Sequence, residues 1–431
     1  MKRMKILLTV AAMLCSLCMT ACGSGSDSSS KESSLANQTT PAAEATAQEE
    51  ITQDSGQQKK DSIKVGLICL HDEKTSYDIN FIVSLEKAIK NLDISDDHII
   101  VKTDIPEGEK CTATIEQLVS MGCNIIMADS FGHEPFMLEA AKAHPDVQFC
   151  HATGTLAHTE KVDNFHNAFA SICEGRYLSG IAAGMKLNEM IADGKITEEQ
   201  AVTGYVGAFP YASVISGYTS FYLGAKSVCP SATMKVTFTG SWYAEKKEND
   251  AANLLIKEGC VLISQHADSM GAPTACEKAG VPNISYNCSN SATCPNTSIV
   301  ASKINWTPYF EYIINCVMNN EKIDLDWVGT IANGAVQLTE VNERAAAKGT
   351  QKAIDEAIEK LNDGTLHVFD TSAFTVEGKN LTTYMADVDT DENFTPDTEA
   401  VSDGYFHESE YRSAPYFNIN IDGITLLDTA Y

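Results

Sequence analysis

Acids, amides and aromatics recur in this sequence at the points where apolar runs stop. Asn124 to Ala128 ends at Asp129-Ser130-Phe131-Gly132-His133, and Ile63 to Leu70 ends at His71-Asp72, with Tyr77 shortly after. Val202 to Ala208 ends at Phe209-Pro210-Tyr211, and Lys235 to Thr239 ends at Gly240-Ser241-Trp242-Tyr243. Val261 to Ser264 ends at Gln265-His266-Ala267-Asp268-Ser269, and Pro282 to Tyr286 ends at Asn287. Such residues together suit a flat heteroaromatic ring: it stacks on aromatic faces, while carboxylates and amides on its edge fix its orientation. Lys74 is the one basic residue at these ends, which argues against phosphorylated ligands.

Each residue also has a plainer role. Asp129 and Asp268 precede helical patterns and can cap them. Phe131 and Phe209 can be core aromatics, Trp242 can pack at a lobe edge, and His71 and His266 can be solvated loop residues. A catalytic use of His266 with Asp268, of His71 with Asp72, or of Ser130 as nucleophile lacks its usual setting. The sequence has no G-x-S-x-G elbow, no HExxH and no Gly-rich phosphate loop. We therefore expect a binding protein rather than an enzyme, with no catalytic residue and no cofactor. With no CxxC followed by a second CxxC or a His pair, no structural metal is expected either.

Short, unalternating apolar runs of this kind are strands buried on both faces of a parallel sheet, and the segments between them carry helical spacing. Gly122 to Gly154 is one such strand, helix, strand unit. The carboxyl ends of parallel strands face a crevice. Two series of units therefore predict an α/β protein of two lobes whose crevices oppose each other. The expected division gives 61–162 plus 287–325 to an N-terminal lobe and 163–286 plus 326–431 to a C-terminal lobe. Asn164 to Met190 reads as one long helix opening the second lobe, with Gly175, Gly180 and Gly184 admitting a close neighbour. Trp327 to Leu338 reads as one extended segment. The last sixty residues read as strands and loops with turns at Glu377-Gly378, Asp403-Gly404 and Asp422-Gly423, and nothing in them fixes a role.

The N-terminus has Lys2, Arg3 and Lys5, an apolar stretch from Ile6 to about Met19, and small residues before Cys22. That is a secretory signal over residues 1–21, too short for a comfortable membrane span. Met19-Thr20-Ala21-Cys22 resembles a bacterial lipobox with Met where Leu is usual, so lipidation of Cys22 is expected, an ordinary signal peptide being the alternative. Acyl chains would hold the protein at the outer face of the cell membrane at ~0.8 kcal/mol per buried methylene. Residues 22–60, rich in Ser, Thr, Gln, Ala and Glu, form a disordered tether with a typical reach on the order of 35 Å.

The formal charge of −27 becomes −30 once the three basic residues of the signal are removed. Nucleic acid is thus not an expected partner. Of 14 cysteines, Cys15 and Cys18 leave with the signal and Cys22 takes the lipid, leaving 11. Cys69, Cys123, Cys150 and Cys260 lie in strand patterns and read as small buried hydrophobes. Free thiols outside the cytoplasm imply a host living with little oxygen. Cys288 and Cys294 are near enough in sequence to pair, which spacing alone does not establish.

The stretches IIMADSFGHEPFMLEAAKAHPDVQFCHATG and GYVGAFPYASVISGYTSFYLGAKSVCPSATMKVTFTGSWYAEKKENDAANLLIKEGCVLISQHADS resemble the basic membrane lipoprotein (BMP, PnrA-like) family. Its members are solute-binding components of ABC importers, and those characterised bind purine nucleosides or bases. The resemblance spans roughly Ile63 to Asp370 and implies a type I periplasmic-binding-protein fold: two Rossmann-like lobes, three hinge crossovers, a ligand cleft between. It implies ligand contacts from Asp72 and Tyr77, from Asp129, Ser130 and Phe131, from Phe209 as the second-lobe aromatic, from Trp242, and from Asp268. Two positions depart from the family: Ala244 stands where an acid usually follows the aromatic pair, and Asn287 stands where nucleoside binders carry a lysine. Both departures favour a free purine base over a nucleoside. The implied partners are a small-molecule ligand and ABC permease subunits, for a monomer. A sensor presenting its ligand to a membrane receptor, or a binder of a sugar-like molecule, would share the same lobes.

Overall fold

The computed structural model describes residues 59–388 and 395–428. The signal, Cys22 and all but the last two residues of the tether lie outside them. The strands are β1 (Val65–Ile68), β2 (Ile99–Lys102), β3 (Ile125–Ala128), β4 (Gln148–Ala152), β5 (Phe165–Ala170), β6 (Val202–Gly207), β7 (Thr233–Phe238), β8 (Leu262–His266) and β9 (Asn283–Tyr286). They continue as β10 (Ser298–Ile304), β11 (Asp326–Gly329), β12 (Val336–Leu338), β13 (Met385–Ala386), β14 (Thr398–Glu399), β15 (Val401–Ser402), β16 (Tyr405–Phe406) and β17 (Ile424–Leu426).

Two large sheets result, in the orders β11-β5-β4-β3-β1-β2 and β12-β10-β9-β8-β6-β7-β17, beside the two-stranded pairs β13-β14 and β15-β16. Every ladder in the first is parallel, and in the second only β12 on β10 is antiparallel. The cause is visible in the strands: VGLI of β1 and IIMA of β3 are buried at all four positions, as a sheet covered on both faces requires. This is the expected α/β, two-lobed fold.

The chain passes between the sheets three times, after β5, β10 and β11, and the crossings fall elsewhere than the sequence led us to expect. Residues 165–170 are a strand of the first sheet, and the helix begins only at Ile172. Phe165, Ala168, Phe169 and Ile172 stand at i, i+3, i+4 and i+7, which mimics a helix. A central strand buried at all six positions shows no alternation to betray it. Likewise 298–304 joins the second sheet, and the stretch 327–338 divides, β11 pairing with β5 and β12 with β10. The helix Thr307–Asn319 does return to the first lobe, where Phe310, Ile313 and Ile314 join Phe81 and Leu85 in one core.

The glycines of the long helix Ile172–Ala192 do admit a neighbour, the helix Ala212–Val228. A Cβ at Gly180 would stand 2.1 Å from the Phe221 carbonyl oxygen, and one at Gly224 2.0 Å from that of Tyr177. Backbone cannot swing aside as a side chain does. Gly224→Ala is therefore expected to cost about 1–3 kcal/mol or more, read as a lower urea midpoint. Gly175→Ala, whose Cβ would meet Val336 Cγ1 at 3.0 Å, should cost less. Equal midpoints for Gly224→Ala and the parent would contradict this packing.

The C-terminal residues pack into the second core, with Phe369 and Phe417 stacked at 4.3 Å. The turn signals hold: Asp403 and Gly404, at φ 50 and 89, turn the β15–β16 hairpin. All eleven cysteines among the described residues are free and all but Cys288 are buried, so Cys288 and Cys294 are not paired. Among the described residues no helix is long and apolar enough to cross a membrane.

Candidate functional site

The carboxyl ends of both sheets open onto one cavity of about 470 Å³, within the range of small-molecule sites. From the first lobe, His71, Tyr77 and Asp78 follow β1, Asp129 to Phe131 follow β3, and Thr153 and Thr155 follow β4. From the second, Tyr211 and Ser213 follow β6, Trp242 follows β7, His266 ends β8 with Asp268 just after it, and Tyr286 ends β9. Hydrogen bonds join the lobes beside it: Ser76 Oγ donates to Asp268 Oδ1 at 3.3 Å, and Asn80 Nδ2 to the Asn287 carbonyl at 3.3 Å.

Tyr77, Asp129, Ser130, Phe131, Trp242, His266 and Asp268 thus come together. Three expected contacts do not line the cavity. Asp72 is tied to Lys74, Nζ to Oδ2 at 2.5 Å. Its neighbour Asp78 is the buried carboxylate, accepting from the His71 N–H at 2.8 Å and the Thr75 hydroxyl at 2.5 Å. Phe209 stands behind Tyr211, the rings stacked at 5.2 Å, so Tyr211 is the residue that meets the cavity. Pro210 between them turns the chain, and two aromatics straddling a proline give no sign in sequence of which one faces inward. Asn287 is buried at φ 63 with neither side-chain polar atom paired. It lies next to Tyr286 without lining the cavity.

Two half-exposed rings, Phe131 from the first lobe and Tyr211 from the second, face each other at 6.2 Å and 31°. Phe131 is 54% exposed and Tyr211 47%. Trp242 closes one side, 6.0 Å from Tyr211. A planar ring between them needs two contacts of about 3.5 Å, or about 7 Å in all. At 6.2 Å the two rings must part by about 1 Å to admit one.

The polar wall is a set of carboxyls in different states. Burial pushes Asp129 well above the ordinary carboxylate range, and Asp78 pushes it the same way. Its Oδ1 accepts from the Leu70 N–H at 3.1 Å, while Oδ2 has no partner. Burial alone would raise Asp78 too, but the bonds from His71 and Thr75 outweigh it and hold that carboxyl low. The same contact raises His71 against its own burial. Asp268 is pushed up to about 7, first by burial, then by Asp78 and Glu248. His266 is held well below its usual value by burial and by Arg176, which lies over the Tyr286 ring at 3.8 Å. At neutral pH the wall therefore presents a half-ionised acid at Asp268 and a neutral imidazole at His266, beside an Asp129 whose burial and whose neighbour Asp78 favour the protonated form. Such groups offer both donors and acceptors to a ring edge.

One part of the wall has no counterpart in the sequence reading. Asp387, Arg412, Ala414, Pro415 and Asn418, from the C-terminal segment, line the same cavity. Nothing in their local pattern marks them, because the fold alone carries them there.

The family model for Bmp, the ABC transporter substrate-binding protein PnrA-like family, matches residues 66–366. A purine-binding protein of Brucella abortus is 32% identical over 207 residues, covering 48% of this chain and 55% of that protein. A Haloferax volcanii protein with the provisional name ABC transporter glucose-binding protein TsgA13 is 32% identical over 262 residues, covering 60% of this chain and 62% of its own. The chain thus spans between 55% and 62% of the length of these relatives. A solved ABC transporter solute-binding protein from Conexibacter woesei superposes with a TM-score of 0.56 at 20% identity, over 71% of this chain and 98% of that one. That likeness is one of fold.

Proposed function

Because the chain belongs to the Bmp family of PnrA-like ABC transporter substrate-binding proteins, we propose that it captures a purine base or nucleoside between its lobes. Outside the cytoplasm, tethered through a lipid on Cys22, it delivers that ligand to the permease of an importer. The observation that carries the ligand class is the pair of facing rings, Phe131 and Tyr211, from opposite lobes, with carboxyls at their edge. A flat ring with donors on its rim satisfies both, its two faces covering the half-exposed aromatics. The name of the Brucella relative points the same way.

A sugar is the second reading, because the Haloferax relative carries a glucose-binding name. A thermal-shift screen of purine bases, nucleosides and hexoses separates the two. A ligand that binds only the folded form adds RT ln(1 + [L]/Kd), about 2.7 kcal/mol at a hundredfold excess over Kd. We expect a rise of several degrees with at least one purine and none with glucose. A rise with a hexose alone would replace the purine reading.

A further inference from the structure

We propose that the C-terminal segment is a third, ligand-reading wall of the cleft, and that Arg412 selects a ring bearing two adjacent hydrogen-bond acceptors, as a 6-oxopurine does. The choice among purines rests on the purine reading above; the placement of the wall does not.

The family match stops at residue 366, yet five residues beyond it line the cavity. They are held there from both sides. In the second lobe Phe406 and Phe417 are part of the core, and the buried Glu408 carboxylate accepts from the N–H groups of Tyr416 and Phe417 at 3.2 and 2.8 Å. Toward the first lobe the Ser413 N–H donates to Asp326 Oδ2 on β11 at 2.7 Å, and His158 Nε2 reaches the same oxygen at 2.9 Å. The loop around Arg412 is therefore fixed to both halves of the clamp.

Arg412 is 8% exposed. Its Nε donates to the Ala414 carbonyl at 3.1 Å and its Nη1 to the Asp387 carbonyl at 3.3 Å. Among the described residues no carboxylate stands within 4.0 Å of it, and no acceptor is paired with Nη2. Burial lowers the Arg412 pKa against the pull of Glu408, Asp387 and Asp326, so the charge is costly to hold there. A guanidinium that lines a ligand cavity regains the loss when the ligand supplies acceptors.

Guanidinium donates and cannot accept. A 6-oxopurine offers O6 and N7 side by side, both acceptors, and its N1–H then points away toward an acceptor such as the Asp268 carboxylate. A 6-aminopurine places a donor next to each neighbouring ring nitrogen, so one guanidinium N–H meets an N–H. Position 6 is therefore where the two classes of purine differ for this wall.

The test is calorimetric titration of the purified protein with hypoxanthine and adenine, and with inosine and adenosine, for the parent, Arg412→Gln and Arg412→Lys. The parent is expected to bind the oxo member of a pair at least about tenfold more tightly. Arg412→Gln, which can donate and accept, should bring the two members within about threefold. Arg412→Lys should keep part of the preference. A parent that prefers the amino member, or an Arg412→Gln variant that weakens both members equally, overturns the proposal while leaving purine capture standing. Silence from all four ligands overturns both.

Discussion

Asp268→Asn is expected to weaken ligand binding about 10- to 100-fold at pH 8 while raising the melting temperature of the free protein. The first part follows from what the carboxylate does: a hydrogen bond from a ligand N–H to an ionised acceptor contributes about 1.5–3 kcal/mol, and the amide accepts more weakly. The second follows from burial, which lifts the Asp268 pKa from 3.8 to about 7. The folded state then favours the neutral acid. Below about pH 4 both states hold the proton and nothing is lost. As pH rises from 4 to 7 the unfolded chain ionises first, and the cost to folding grows until it is complete above 7. Three units correspond to at most on the order of 4 kcal/mol. Asparagine removes that cost and keeps an oxygen for the Ser76 hydroxyl, now at 3.3 Å. The gain in melting temperature should therefore be present at pH 8 and absent at pH 4. Parent affinity for a ligand that donates to this group should also rise between pH 6 and 8, and Asp268→Asn should flatten the profile. A variant that binds like the parent removes Asp268 from the site, and one less stable at pH 8 contradicts the electrostatics.

Phe131→Ala and Tyr211→Ala are each expected to weaken purine binding by about 5- to 100-fold, since stacking a base on an aromatic ring contributes about 1–3 kcal/mol. Both rings are about half exposed without ligand. Their truncation should leave the free protein within about 0.5 kcal/mol of the parent. The double variant should lose more than the sum, because a base that has lost one face can tilt onto the ring that remains, and the double variant removes that ring too. Phe209→Ala should have a smaller effect, acting through the ring it supports at 5.2 Å. Unchanged affinity in both single variants would mean that the ligand does not lie between these rings.

The parallel sheets were legible because their strands are short, apolar and buried on both faces. That same property hid β5, whose apolar residues fall at helical spacing, and it obscured β10, where Ser298 and Ser302 are buried. Strand ends identified Asp129, Phe131, Trp242, His266 and Asp268 without knowledge of the crossings, because every parallel strand presents its carboxyl end to the same crevice. Local detail was harder to read. Asp72 and Asp78 lie on one loop, and only the fold determines which carboxylate is buried against Thr75 and His71. Phe209 and Tyr211 flank one proline, and only the path of the turn determines which ring meets the cavity. The C-terminal wall was the least legible part, since a loop that reaches the cleft by packing on the second core leaves no periodic trace.

The central claim is that a purine lies between the lobes, and a crystal structure of the protein grown with hypoxanthine tests it most directly. The predicted result is a ring between Phe131 and Tyr211, with Asp268 within hydrogen-bond distance of N1 and Arg412 of O6 and N7. Density for the base outside the cleft, or an empty cleft with Phe131 and Tyr211 closed on each other at saturating ligand, would contradict it.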